Sequence, residues 1–248
     1  SSAASDVYKR QDYIYKHVLN VAILSAIIAG QMGFSVGRIN LLVKSAILHD
    51  IGALKLQQLP DAEDLDDGTK EVVKKNTQET LDRYGDLDEE VLRLITQMQE
   101  LYTRESDAEI PAGLKESVNA NILYVADAYD RMTAMKSFEE PTSEVKAVRE
   151  LLADEERYNK KIVNALIHGI SILYPGVCVE LSNGEKGLVI TENEDNIFEP
   201  TVLDFRNNNL YDLSDPSVKQ TIEIADVMKT MDNRIKLDKS LLEEYQAN

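Results

Sequence analysis

The apolar pattern of this chain changes period at Pro175-Gly176. Before it, Ile14, His17, Val18, Val21, Ser25 and Ile28 recur at three- and four-residue steps, the spacing of one helix face. The same period predicts helices at about 39–51, 69–84, 88–103, 116–135, 143–153 and 158–173. After it, Val177, Val179 and Leu181 alternate with Cys178, Glu180 and Ser182, and Asn183-Gly184 gives a two-residue hairpin signal. Leu188-Val189-Ile190, the stretch Thr201 to Phe205 and the stretch Leu210 to Leu213 supply further strands. The expected fold is mainly α, a helical domain over 12–174. A small antiparallel β subdomain over 175–248 follows, its polar end (217–246) finishing in a helix. Residues 1–11 carry neither period and read as a foreign leader outside the fold.

Charge narrows the partners. Lys and Arg number 27 against 44 Asp and Glu, a formal net charge of −17. Such a chain repels DNA, RNA and anionic membrane over most of its surface. A polyanionic ligand would bind only where a metal ion or a local Lys/Arg group reverses the field. The single cysteine, Cys178, rules out an internal disulfide and suits a reducing, cytoplasmic setting. No consecutive apolar run approaches the ~18 residues of a membrane span. The acidic stretch 60–70 invites a calcium reading, but it lacks EF-hand spacing and a closing glutamate, so a solvated loop is expected.

Four polar residues stand on or beside the apolar helical stripes. His17 shares a face with Val18 and Val21, His49-Asp50 closes the run Ala46-Ile47-Leu48, and Asp127 lies beside Val125 and Ala126. Burying such groups without partners would cost several kcal/mol. Either they hydrogen-bond to one another and tie helices together, or they hold an ion. Two imidazoles and two carboxylates suit one divalent transition metal, Fe, Mn or Zn. That ion can lower the pKa of a bound water and neutralise phosphate oxygens. Asp130, one turn beyond Asp127, is expected as an outer partner or a helix-surface residue, and His168 as structural.

In this order the motifs resemble the HD superfamily of metal-dependent phosphohydrolases, whose signature is His, then His-Asp, then a later Asp. The likeness extends to the HD-GYP branch, which hydrolyses cyclic di-GMP. It rests on His17-Val18-Leu19-Asn20-Val21-Ala22, Leu48-His49-Asp50-Ile51-Gly52, Val125-Ala126-Asp127-Ala128-Tyr129-Asp130 and, in the β part, Tyr174-Pro175-Gly176-Val177. The resemblance implies an HD-type bundle with His17, His49, Asp50 and Asp127 as metal ligands and Asp50 as the catalytic residue.

This chain departs from the branch at several positions. Ala53 replaces the lysine after His-Asp-Ile-Gly, Asn76 replaces a histidine, Met98-Gln99 replace a His-His pair, and Glu109-Ile110-Pro111 stands for Gly-Tyr-Pro. Those losses disfavour a second metal and remove a phosphate-binding cation. Lys55 is the candidate substitute, while Arg104 and Arg131 read as surface charges. The expectation is a degenerate HD-GYP-like domain of a bacterial cyclic di-GMP signalling protein. It would be weak or inactive as a phosphodiesterase, acting through a metal, a cyclic dinucleotide or a protein partner, with self-association open. The alternative is a mononuclear phosphohydrolase.

Overall fold

The computed structural model describes residues 3–56, 66–84, 86–104, 108–134 and 141–228, with side chains from residue 12 onward. The chain divides into two compact units, residues 1–142 with 147–170, and residues 143–146 with 171–248. Helices run α1 (Ala3–Gln31), α2 (Val36–Leu48), α3 (Asp67–Arg83), α4 (Glu89–Tyr102), α5 (Ala112–Lys115), α6 (Val118–Thr133), α7 (Glu144–Ala153) and α8 (Lys160–Ile170), with a 3-10 turn at Ile51–Lys55.

In the helical unit α1 packs on α2, α6 and α8. It begins at Ala3, so the backbone of residues 3–11, which carry no apolar period, is helical as well. Ala, Lys, Arg and Gln extend a helix readily once a packed segment nucleates it. The stretch Asp12–Gln31, 20 residues, is long and apolar enough by composition to cross a membrane. The uninterrupted apolar runs within it stay short, because single polar residues such as His17, Asn20 and Ser25 break them. Its apolar face serves the bundle, with Ile14, Val21, Ile28 and Ala29 buried.

The helix α6 is enclosed on all sides, every residue from Ala120 to Asp130 being buried. Its polar side chains therefore need internal partners. Asn121 finds them in the Leu114 and Ser117 carbonyls, each 2.9 Å from its Nδ2.

The sequence places the end of the second helix at Ile51 with Gly52 as its stop. In the structure α2 ends at Leu48 and a 3-10 turn follows. Gly52 answers a different need. A Cβ there would stand 2.3 Å from the Val73 carbonyl oxygen and 2.4 Å from the Thr77 nitrogen, so the α3 backbone can approach only a glycine. Part of the acidic stretch 60–70 lies outside the described residues. Its end is no loop: the Asp66 side chain caps α3, accepting from Thr69 N at 2.8 Å, and Asp67 opens the first turn.

The second unit holds β1 (Cys178–Leu181), β2 (Lys186–Thr191), β3 (Thr201–Asp204), β4 (Leu210–Asp212), α9 (Pro216–Lys219) and β5 (Ile224–Val227). The sheet order is β4-β3-β2-β1-β5, every pairing antiparallel. The link from β1 to β2 is longer than the two-residue turn the sequence suggests: Gly184 N bonds the Leu181 carbonyl at 2.9 Å and Leu181 N the Glu185 carbonyl at 2.8 Å, and of the Asn-Gly pair only Gly184 is left-handed, at φ +82°. The strand β5 falls in the polar stretch 217–246 that the sequence ends in a helix. Four residues flanked by polar ones announce no strand, and β1's open edge supplies the pairing, Glu180 opposite Asp226. The expected terminal helix lies outside the described residues.

Candidate metal centre

Three helices of the first unit bring His17, His49 and Asp127 together. α1 aims His17 inward because Ile14, Val18 and Val21 fix that face against the core. His49 is the C-cap of α2, and the Gln99 Nε2 on α4 donates to its carbonyl at 2.9 Å. Three residues on, the Gly52 N–H donates to the Thr77 Oγ1 of α3 at 3.0 Å and ties the following turn to that helix. Asp127 projects from the enclosed helix α6.

Each imidazole has one nitrogen committed. His49 Nδ1 lies 2.6 Å from the Ala46 carbonyl, which can only accept, so Nδ1 carries the proton. His17 Nδ1 lies 2.7 Å from Asp130 Oδ2, while Asn20 Nδ2 donates to Asp130 Oδ1 at 2.8 Å. Both rings therefore present Nε2, and both point at one atom: Asp127 Oδ1 is 3.0 Å from His17 Nε2 and 3.2 Å from His49 Nε2. One ligand atom from each of the three residues lies within 4.8 Å of the others, and all three are buried. Two imidazole nitrogens and a carboxylate oxygen, with the far ring nitrogens tied to a carboxylate and a carbonyl, fit a single divalent transition metal.

Electrostatics sharpen the picture. Burial and the Arg131 charge push His17 toward its neutral form, but the bonds to Asp127 and Asp130 outweigh them and leave its pKa above the ordinary value. Burial alone would raise the Asp127 carboxyl. Arg131 and the two imidazoles instead hold it well below the usual carboxylate range. A proton and a metal compete for the same Nε2 lone pair.

The sequence treats Arg131 as a surface charge, and the structure corrects this. Its Nε donates to Asp127 Oδ2 at 2.9 Å, its Nη2 to Asp50 Oδ2 at 3.3 Å, and its guanidinium sits over the Tyr102 ring, 4.6 Å from the centroid. The side chain is only 16% exposed. The spacing from Asp127 to Arg131, four residues on a helix, is the signal that could have found it. Asp50, expected as a fourth ligand, is buried, but its carboxylate faces Arg131 and is not one of the three donors that lie within 4.8 Å of one another. Asp130, either an outer partner or a surface residue by sequence, is buried behind His17. Lys55 is partnered at 3.4 Å by the Asn76 carbonyl, on an exposed path. Glu79 is exposed and Glu100 half-buried, and neither joins the donor group among the described residues. His168 lies exposed on α8 with Nδ1 at the Asn164 carbonyl.

Residues 14–132 match the HD domain family model, a span that begins just before His17 and ends just after Arg131. An HD domain thus spans the segment that carries the three donors. A curated relative, the cyclic di-GMP phosphodiesterase PdeB of Borreliella burgdorferi, is 24% identical over 223 residues, covering 85% of this chain and 57% of the relative. The chain thus spans little more than half of that protein's length. Within this HD domain, Met98 is a core side chain and Gln99 spends its amide on the His49 backbone.

Proposed function

We propose that this HD protein is an HD-GYP-like domain of a bacterial, cytoplasmic cyclic di-GMP signalling protein. In this reading it holds one divalent transition metal and hydrolyses phosphodiesters weakly or not at all. The observation that carries it is the convergence of His17 Nε2, His49 Nε2 and Asp127 Oδ1. A bound Fe, Mn or Zn ion supplies a Lewis acid for phosphate oxygens. The chain's own residues do the rest: Asp130 and the Ala46 carbonyl orient the imidazoles, and Arg131 holds the far oxygen of Asp127. Asp50 is the proposed fourth ligand and catalytic acid–base group, a role that requires its Oδ2 to leave Arg131. Lys55 is the cation proposed to meet a phosphate.

The cyclic dinucleotide enters from the Borreliella relative. Weak hydrolysis is supported by Asn76, Met98 and Gln99, none of which offers an imidazole. A second reading, a mononuclear phosphohydrolase, draws on the buried Asp50, which Arg131 links to Asp127. Titration calorimetry of the manganese-loaded chain with cyclic di-GMP, followed by chromatography of the nucleotide, tests the choice. Binding with little turnover is expected; rapid conversion to the linear dinucleotide would favour the second reading, and no binding would overturn the first.

A further inference from the structure

The carboxylate of Asp127 is divided. Its Oδ1 faces the two imidazoles and its Oδ2 is taken by Arg131 Nε at 2.9 Å. The same guanidinium reaches Asp50 Oδ2 at 3.3 Å, so one cation joins two buried carboxylates from α6 and the turn after α2. A carboxylate that bridges two metal ions commonly offers one oxygen to each, and here the second oxygen is occupied by a side chain of the same helix. The Tyr102 ring under the guanidinium fixes its plane and keeps it from swinging away. From this geometry we infer that Arg131 is a built-in second cation. It sits where Asp50 and the outer oxygen of Asp127 would otherwise hold another ion, and it limits the site to one metal. The inference rests on the one-metal reading above, and it makes Arg131 a specificity-determining residue for metal occupancy.

The test is the stoichiometry of Mn2+ binding to the whole chain, by calorimetry and by the electron paramagnetic resonance spectrum of the bound ion. Wild type, Arg131→Ala and Arg131→Lys are compared, with circular dichroism confirming the fold. Arg131→Lys guards against misfolding of the alanine variant, because it keeps the charge while a single ammonium cannot span two carboxylates in the plane of a fork. Wild type is expected to saturate at one ion with an uncoupled spectrum. Arg131→Ala should take up a second ion and show an exchange-coupled signal, and Arg131→Lys should do so at higher Mn2+ concentration. One ion of unchanged affinity in all three proteins would overturn the inference and leave the one-metal reading standing. No ion on wild type but one on Arg131→Ala would sustain the blocking role and overturn that reading. Two ions on wild type, or none on any of the three, would overturn both.

Discussion

Asp130 Oδ2 lies 2.7 Å from His17 Nδ1, so a carboxylate on α6 sets which nitrogen a histidine on α1 can offer. Outer partners of this kind hold a ligating imidazole in the tautomer and orientation it needs. Asp130→Asn should weaken Mn2+ or Zn2+ binding by roughly 10–100-fold while the helical content stays unchanged. Competition with a chelator of known affinity measures it. Asn20→Ala, which removes only the donor behind Asp130, should cost less. Affinity unchanged in Asp130→Asn would mean His17 does not ligate through Nε2.

Ion binding should also stabilise the bundle, because its donors come from α1, α2 and α6. At a free ion concentration of 100 times Kd, the stabilisation is about 2.7 kcal/mol. The melting temperature should therefore rise on adding metal, fall on adding chelator, and respond to neither in His17→Ala.

Gly52→Ala tests the close approach of the turn to α3. The added Cβ meets backbone atoms of Val73 and Thr77, which cannot move without shifting the helix. A loss of about 1–3 kcal/mol is expected from such overpacking, read as a lower urea midpoint with an unchanged slope. A Gly52 serving only as a helix stop would tolerate alanine with a much smaller change.

Gln99→Met keeps the volume but removes the donor that meets the His49 carbonyl. Thr77 Oγ1, 3.5 Å away, is too distant to replace it fully. The Gln99 Oε1, which has no partner among the described residues, disappears at the same time, which offsets part of the loss. A net cost of about 1 kcal/mol is expected, with a measurable fall in metal affinity as His49 loosens. A metal affinity equal to wild type would show that the Gln99 bond does not position His49.

The meeting of His17, His49 and Asp127 was legible because polar residues on apolar helical faces are costly unless they meet; Asp50, expected with them as a fourth ligand, faces Arg131 instead. The period change at Pro175-Gly176 likewise marks where helices give way to strands. Arg131 was not legible in the same way. An arginine four residues after an aspartate usually makes an exposed pair worth little, and only the enclosure of α6 turns this one inward. Gly52 ends no helix; it admits a neighbouring backbone that lies 25 residues on, at Thr77. The strand β5 depends on a free edge of β1 that its own residues do not encode.

The central claim is that His17, His49 and Asp127 hold one transition metal. Elemental analysis of the purified chain after loading with Fe, Mn or Zn and removal of free ion tests it most directly. The account predicts about one bound equivalent, lost in both His49→Ala and Asp127→Ala. Metal that is absent from wild type, or retained undiminished by those two variants, would contradict it.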